Sequence, residues 1–266
     1  MLAEQRRQRI LHEVQTRGAV QVHELACLLE VSSMTVRRDL RDLDEQGLLT
    51  RVHGGAESSG SGVEPTFSEK AALHADEKTA VALRAFRCVD PGSALAFSAG
   101  TTCVRIAQML TRPGGPGGLS VVTNSLPVAD EFFRAEQSAD RDGTNLPRPT
   151  RVLLTGGQRT PSDALVGPLA DASLRDLHVD VLFLGAHGAG PAGLSTPNPE
   201  EARTNRALIA AAHRVIAVFD SSKWGVTGLS GFADWDAVDA IITGGGLPWP
   251  ARELLNERVE EVTITS

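Results

Sequence analysis

At the front of the chain, apolar residues recur three and four positions apart, the spacing of helices that each bury one face. Ile10, Leu11 and Val14 mark a first helix within residues 3–17, ended by Gly18. Residues 20–22 suit only a small strand. Leu25, Leu28 and Leu29 mark a second short helix over 23–30. Ser32 or Ser33 then caps a third, which runs to about Gln46 with Gly47 as its C-terminal stop. Residues 48–52 and those after Gly54 and Gly55 form a hairpin wing. Residues 57–63 are small and polar, the composition of a linker.

Past the linker the period changes. A helix is expected near 68–87. Short Val/Ile/Leu-rich blocks follow at 94–97, 120–123, 152–155, 179–184, 215–219, 237–242 and 259–264, several of them followed at once by Gly, Asn or Ser and then a helical stretch. Such alternation predicts an α/β fold with a mostly parallel sheet covered on both faces. Residues 112–118 and 137–150 are rich in Pro, Gly and polar side chains and read as exposed loops.

Composition narrows the class. A hydrophobic content of 41% and a charged content of 22% are ordinary for a soluble globular protein. No apolar run approaches the roughly 20 residues of a membrane span, and the arginine-bearing N-terminus lacks the apolar core of a signal peptide. Three scattered cysteines without a CxxC fit reduced thiols in a cytoplasm. The formal net charge is −7, yet residues 1–56 hold eight Lys/Arg and eight Asp/Glu, so all of the excess lies in the body. A neutral head can bind DNA if its arginines share a face, and an acidic body discourages non-specific adhesion.

On the third helix, at about 100° per residue, Val36, Leu40 and Leu43 share the side expected to pack on the first two helices. Met34, Arg37, Arg38 and Arg41 gather on the other side. Asp39, Asp42 and Asp44 lie elsewhere, placed to steer or tether. Guanidinium groups bond phosphates and the O6/N7 edge of guanine. Ser32, Ser33 and Thr35 stand at the helix N-terminus, where hydroxyls and free N–H groups suit a phosphate. Arg51 and His53 in the wing are expected to meet the backbone or minor groove. An isolated basic helix is more often plain solvated surface. Here two short helices precede it and a Gly-Gly hairpin follows, the order of a winged helix-turn-helix, so double-stranded operator DNA is the expected partner.

In the body, Ser98, Ala99, Gly100, Thr101 and Thr102 follow a buried strand and open a helix. A small hydroxyl-rich turn at a helix N-terminus suits an anion, although a bland strand–helix turn fits as well. Ligands of open parallel sheets bind at the carboxyl ends of strands, where further polar turns fall at 123–125, 155–157, 185–188 and 220–223. Together they offer hydroxyls, an amide, an imidazole, a carboxylate and a lysine, which suits a small polyhydroxylated anion. Other readings stay open: Lys223 as a surface lysine beside Trp224, Asn124 as a helix cap, His187 as a satisfied core histidine.

The segment SSMTVRRDLRDLDEQGLLTRVHGGA, residues 32–56, resembles the helix-turn-helix signature of the DeoR family of bacterial transcriptional regulators. The resemblance continues through EPTFSEK, SAGTT, VVTNSLPVA, LLTGG, ALVGPLA, GLSTPNPEEA and DSSKWG, nearly the full length. It implies a winged head over 1–56, a linker over 57–66, and an effector-binding and oligomerisation domain over 67–266, Rossmann-like and similar in fold to ribose-5-phosphate isomerase. It implies a repressor of a carbohydrate catabolism operon, released by a small phosphorylated sugar; the cysteines and the N-terminus put the expectation in the cytoplasm, and no cofactor or metal is expected. In such domains the turn from Ser98 to Thr102 holds the phosphate, and Asn124, Gly156, Gly157, the 185–188 turn with His187, Glu201 and Lys223 match the rest of the pocket.

Three departures from the family pattern stand out: Ser98 where aspartate is usual, His187 where the second turn normally reads GADG, and Asn205 where lysine is frequent. They point to a different effector and away from residual isomerase chemistry. A histidine against the phosphate would make affinity pH-sensitive near neutrality. Two other classes compete with the switch: a sugar-phosphate isomerase with an appended DNA-binding head, and an architectural DNA-binding protein whose body only oligomerises. A switch needs a homodimer or homotetramer to present paired recognition helices about 34 Å apart, with helix contacts near residues 67–87 fixing the heads.

Overall fold

The computed structural model describes residues 6–7, 9–11, 13–14, 19–46, 48–52, 54–57, 67–142 and 149–265. The chain divides into two compact units, residues 1–64 and 65–266. Gly47, His53 and nearly all of the expected linker lie outside the described residues.

The first unit starts with helical residues between positions 6 and 14. Strand β1 (Ala19–Gln21) leads into helix α1 (Val22–Leu28), then α2 (Ser33–Glu45) and the hairpin β2 (Thr50–Val52) and β3 (Gly55–Glu57). The three strands form one sheet in the order β1-β3-β2. Its core holds Ile10, Val14, Leu25, Leu29, Val36, Leu40, Leu43 and Leu49, so the expected inner face of the third helix is the buried one. Ser32 is the cap: its hydroxyl accepts the Thr35 N–H at 3.2 Å. Gly55 is required where β3 crosses β1, because a Cβ there would collide with the Val20 carbonyl.

The second unit opens with α3 (Phe67–Ala72) and α4 (Ala75–Phe86). The single helix expected over 68–87 is broken at His74, which sits at φ +52. A seven-stranded parallel sheet follows: β4 (Ala94–Phe97), β5 (Leu119–Thr123), β6 (Pro149–Leu154), β9 (Val179–Leu184), β12 (Ala212–Phe219), β14 (Ala240–Gly244) and β15 (Glu261–Thr265). Their spatial order is β15-β14-β12-β9-β4-β5-β6. Leu95, Phe97, Phe183, Ile216, Val218 and Ile242 face one layer, with Val81, Ile106 and Phe132 of α4, α5 (Thr101–Leu110) and α6 (Leu126–Asp142). The alternate residues Ala96, Leu182, Leu184, Ala217, Phe219 and Ile241 face the other. There they meet Leu174, Leu208 and Leu255 of α7 (Pro168–Leu174), α8 (Pro199–Ala211) and α9 (Trp249–Arg258). Burial on both faces explains why these strands read as continuous apolar blocks.

Two expectations shift. Residues 137–150 are not one loop, since α6 runs to Asp142 and β6 starts at Pro149. The strand expected over 237–242 starts at Ala240, because Trp235–Ala237 form a 3-10 turn that buries Trp235. Two small antiparallel sheets have no counterpart in the sequence pattern, one pairing β7 (Gln158–Arg159) with β8 (Leu165–Val166). The other orders β10 (Gly188–Gly190), β11 (Gly193–Thr196) and β13 (Ser230–Ala233). Such strands are too short to carry a period.

The chain fills the sheet from β4 through β5 to β6, returns, and continues from β9 outward to β15. The order therefore reverses between β4 and β9, the point at which open α/β sheets form a crevice at their carboxyl edge.

Candidate DNA interface and effector site

The outer face of α2 is bare. Ser32, Ser33, Met34, Arg37, Arg38 and Arg41 are exposed and Thr35 half-buried; Met34 is 74% exposed. Among the described residues, no hydrogen bond or ion pair occupies the guanidinium groups of Arg37, Arg38 or Arg41. Other charges of the unit are committed. Arg6 forks onto the buried carboxylate of Asp39, Nε to Oδ2 at 2.6 Å and Nη2 to Oδ1 at 3.1 Å, tying the N-terminal helical segment to α2. Arg7 bonds Asp42 at 3.4 Å. Asp44 accepts the Arg51 N–H at 3.2 Å and so fixes β2 against α2, with the Arg51 side chain exposed. The three aspartates of the helix thus serve as tethers. The surface left over is cationic, one helix wide, and bordered by a hairpin, which is what a major groove with a flanking phosphate ridge accepts.

In the second unit, the candidate effector turns line the carboxyl edge around the β4/β9 reversal. Ser98 is fully buried: its N–H donates to the Phe183 carbonyl at 3.1 Å and its hydroxyl accepts the Gly185 N–H at 2.8 Å. That hydroxyl stitches two turns together and leaves anion contact to the residues after it. Ala99, Gly100 and Thr101 are half-buried, and Thr102 is buried. Gly100 caps α5 without a side-chain bond, so the first-turn N–H groups receive no acceptor from the cap. Cys103 behind them is inert: burial pushes its thiol up to about 12.

Asn124 is buried at the end of β5. Its Nδ2 donates to the Leu165 carbonyl at 3.1 Å, its backbone carbonyl accepts the Leu165 N–H at 2.7 Å, and its Oδ1 has no partner among the described residues. Gly156 and Gly157 are exposed after β6. Gly157, at φ +113, passes so close to the Val166 carbonyl that a Cβ would collide with it. His187 is half-buried on the turn after β9. Glu201 is clamped, Oε1 by the Thr160 hydroxyl at 2.6 Å and Oε2 by the Thr196 hydroxyl at 3.0 Å. Lys223 ends a 3-10 turn, Ser221–Lys223, that Asp220 caps. Among the described residues its ammonium has no hydrogen-bond or ion-pair partner. The structure thus sets these residues on the turns that follow β4, β5, β6, β9 and β12, with Glu201 on α8, while Ser98, Asn124 and Glu201 spend hydrogen bonds on holding the turns.

Sequence reasoning passed over Lys78, one of three lysines in the chain. It is 2% exposed and lies 3.7 Å from Asp220 Oδ2. Burial pushes its ammonium down to about 8, the Asp220 carboxylate pulls it back up, and the charges of Lys223 and Arg105 push it down again. Unfolded, a lysine keeps its proton to about pH 10.4. Between these values unfolding takes up a proton, so this group makes stability rise with pH, by up to ~1.4 kcal/mol per pH unit. Thermal unfolding from about pH 8 to about pH 9.5 checks this: the wild type gains stability relative to Lys78→Met, and parallel pH profiles would refute the assignment.

Two family models match the chain: the DeoR-like helix-turn-helix domain over residues 6–61 and the DeoR C-terminal sensor domain over residues 73–245. The chain is 35% identical over 265 residues to a candidate aga operon transcriptional repressor of Escherichia coli O157:H7, covering 98% of this chain and 93% of the relative. It is 35% identical over 256 residues to the HTH-type transcriptional regulator GlpR of Haloferax volcanii, covering 95% and 94%. Ribose 5-phosphate isomerase A of Neisseria gonorrhoeae matches 57% of this chain with 54% of its own, at 15% identity and a TM-score of 0.38.

Proposed function

The chain belongs to the DeoR family of DNA-binding transcriptional regulators, and on that premise we propose that it represses a carbohydrate catabolism operon and leaves its operator when a phosphorylated sugar binds the body. It is a regulator rather than an enzyme, and the reading of an isomerase with an appended head is not favoured. The observation that carries the proposal is the cationic face of α2, with Arg37, Arg38 and Arg41 uncommitted among the described residues, beside a wing.

The effector half of the proposal rests on the carboxyl edge of the sheet. The α5 N-terminus offers amide donors, Thr101 and Thr102 offer hydroxyls, and Lys223 offers a cation uncommitted among the described residues, a set suited to a dianion. His187 on the neighbouring turn is the residue proposed to make the response pH-dependent. The names of two relatives agree with sugar metabolism: the aga operon repressor above and a lactose phosphotransferase system repressor of Staphylococcus epidermidis, 30% identical over 86% of this chain and 87% of its own.

The protein acts in the cytoplasm, as a homodimer or homotetramer on repeated half-sites. No described helix is long and apolar enough to cross a membrane. A mobility-shift assay on the promoter beside the protein's own gene, with a panel of sugar phosphates and the matching free sugars, tests the proposal. Release is expected with a phosphate ester and not with its free sugar, and any pH dependence of release is expected to flatten in His187→Ala. Failure to shift the promoter, or shifting that no phosphate ester alters, would remove the corresponding half of the proposal.

A further inference from the structure

Two consecutive residues on the first turns of α4 join three parts of the second unit. Glu77 Oε2 accepts the Ser221 N–H at 3.0 Å and its hydroxyl at 3.1 Å, and Oε1 accepts the Gly246 N–H at 3.2 Å. Lys78 Nζ donates to the Lys70 carbonyl at 2.5 Å and the Leu73 carbonyl at 2.7 Å. These carbonyls lie in the last turn of α3 and one residue past its end, beyond which His74 breaks the helical path at φ +52. The third proton of the ammonium faces Asp220 Oδ2 at 3.7 Å, too far for a hydrogen bond, and among the described residues Oδ2 has no other partner. Asp220 Oδ1 is held by the N–H and hydroxyl of Ser222.

An ammonium has three donors. Here two are made and the third stands open across a gap of about an ångström, between a cation and an anion that are both nearly inaccessible to water. A small movement of the 220–223 turn closes or widens that gap, and any reorientation of the ammonium is felt at the α3 carbonyls. His74, Glu77 and Asp220 also bring potential metal-ligand atoms within 4.8 Å of one another. Glu77 uses both oxygens on N–H and O–H donors, however, and Lys78 is already the cation of this corner.

We propose that Glu77 and Lys78 are positioning residues that relay occupation of the Lys223 turn to residues 67–73, the described segment that follows the linker in sequence. This rests on the effector reading above and names its route. An anion drawn to Lys223 moves the turn that carries Asp220 and Ser221. Glu77 transmits that movement to the start of α4, and Lys78 exchanges hydrogen bonding between Asp220 and the α3 carbonyls. The two arrangements of one ammonium make the two-state element that coupling requires.

Amide hydrogen exchange on the full-length protein tests it, with inorganic phosphate against chloride at equal ionic strength as the probe. In the wild type, phosphate is expected to slow exchange over residues 98–104 and 220–224 and to change it over 67–73. Asp220→Asn keeps the first two responses and loses the third. Without phosphate, the same substitution shifts exchange over 67–73 from its wild-type value, because it removes one of the two sets of acceptors between which Lys78 moves. Ser221→Ala, which removes a single hydroxyl, shows the same pattern more weakly and serves if Asp220→Asn folds poorly. A wild type in which 98–104 and 220–224 respond but 67–73 does not would overturn the relay. So would a 67–73 segment indifferent to both substitutions. Phosphate without effect anywhere in the body would instead count against the effector reading, and the substitutions alone would then decide the relay.

Discussion

Arg37→Ala combined with Arg38→Ala lowers operator affinity by about 10²-fold or more. A well-formed guanidinium contact to a base edge contributes ~1–3 kcal/mol, and a phosphate contact adds close to one unit of salt slope. Both side chains are exposed and, among the described residues, unpaired, so removing them costs the fold within about 0.5 kcal/mol. The comparison with Arg6 sharpens the expectation. That arginine is 13% exposed and forked onto buried Asp39, so Arg6→Ala should destabilise the head by leaving an unpaired carboxylate. Affinity measured over a salt series separates the possible contacts. If the pair grips phosphates, the slope falls by about two; if it reads guanine, the slope holds and discrimination between operator and random DNA shrinks. Affinity, slope and discrimination all unchanged would refute the interface.

The head was legible because its information is local. A serine three residues before the N–H it accepts, apolar residues on one face of α2 and a glycine pair in a hairpin are all set within short windows. The sheet was legible for a related reason: strands buried on both faces need apolar side chains at every position. What the sequence hid depends on partners far along the chain. The turn beginning at Ser98 announces itself, but the direction of its hydroxyl is set by the Gly185 N–H, 87 residues later. Glu201 reads as a pocket residue until Thr160 and Thr196 are found on its two oxygens. Lys78 looks like any charged residue early in a helix, and only the packing of α4 against residues 70–73 and the 220–223 turn buries it. No local signal marks a cation that tertiary structure encloses, although its rarity in this chain was a hint.

Lys223→Met is expected to raise the effector concentration needed for release by about 10–100-fold while leaving operator affinity in its absence unchanged. Hydrogen bonds to charged groups contribute ~1.5–3 kcal/mol, and the geometry assigns Lys223 nothing else to hold. Its ammonium is unpaired among the described residues, whereas its neighbours are anchored: Asp220 caps the turn and Ser221 is bonded to Glu77. The neighbouring indole, Trp224, stacks on Trp235 at 6.3 Å, so the backbone that presents the lysine is held by packing as well. Methionine keeps most of the aliphatic length and deletes the charge. Calorimetric titration of the most effective sugar phosphate from the mobility-shift panel reads the loss directly, and the free sugar serves as control because a charge that meets the phosphate should not distinguish unphosphorylated ligands. Wild-type affinity in Lys223→Met would return this residue to the role of a surface lysine beside an indole and leave the α5 N-terminus as the sole anion subsite. Such a subsite would have to hold a dianion with amide donors and threonine hydroxyls alone, a weaker arrangement than one containing an unpaired cation.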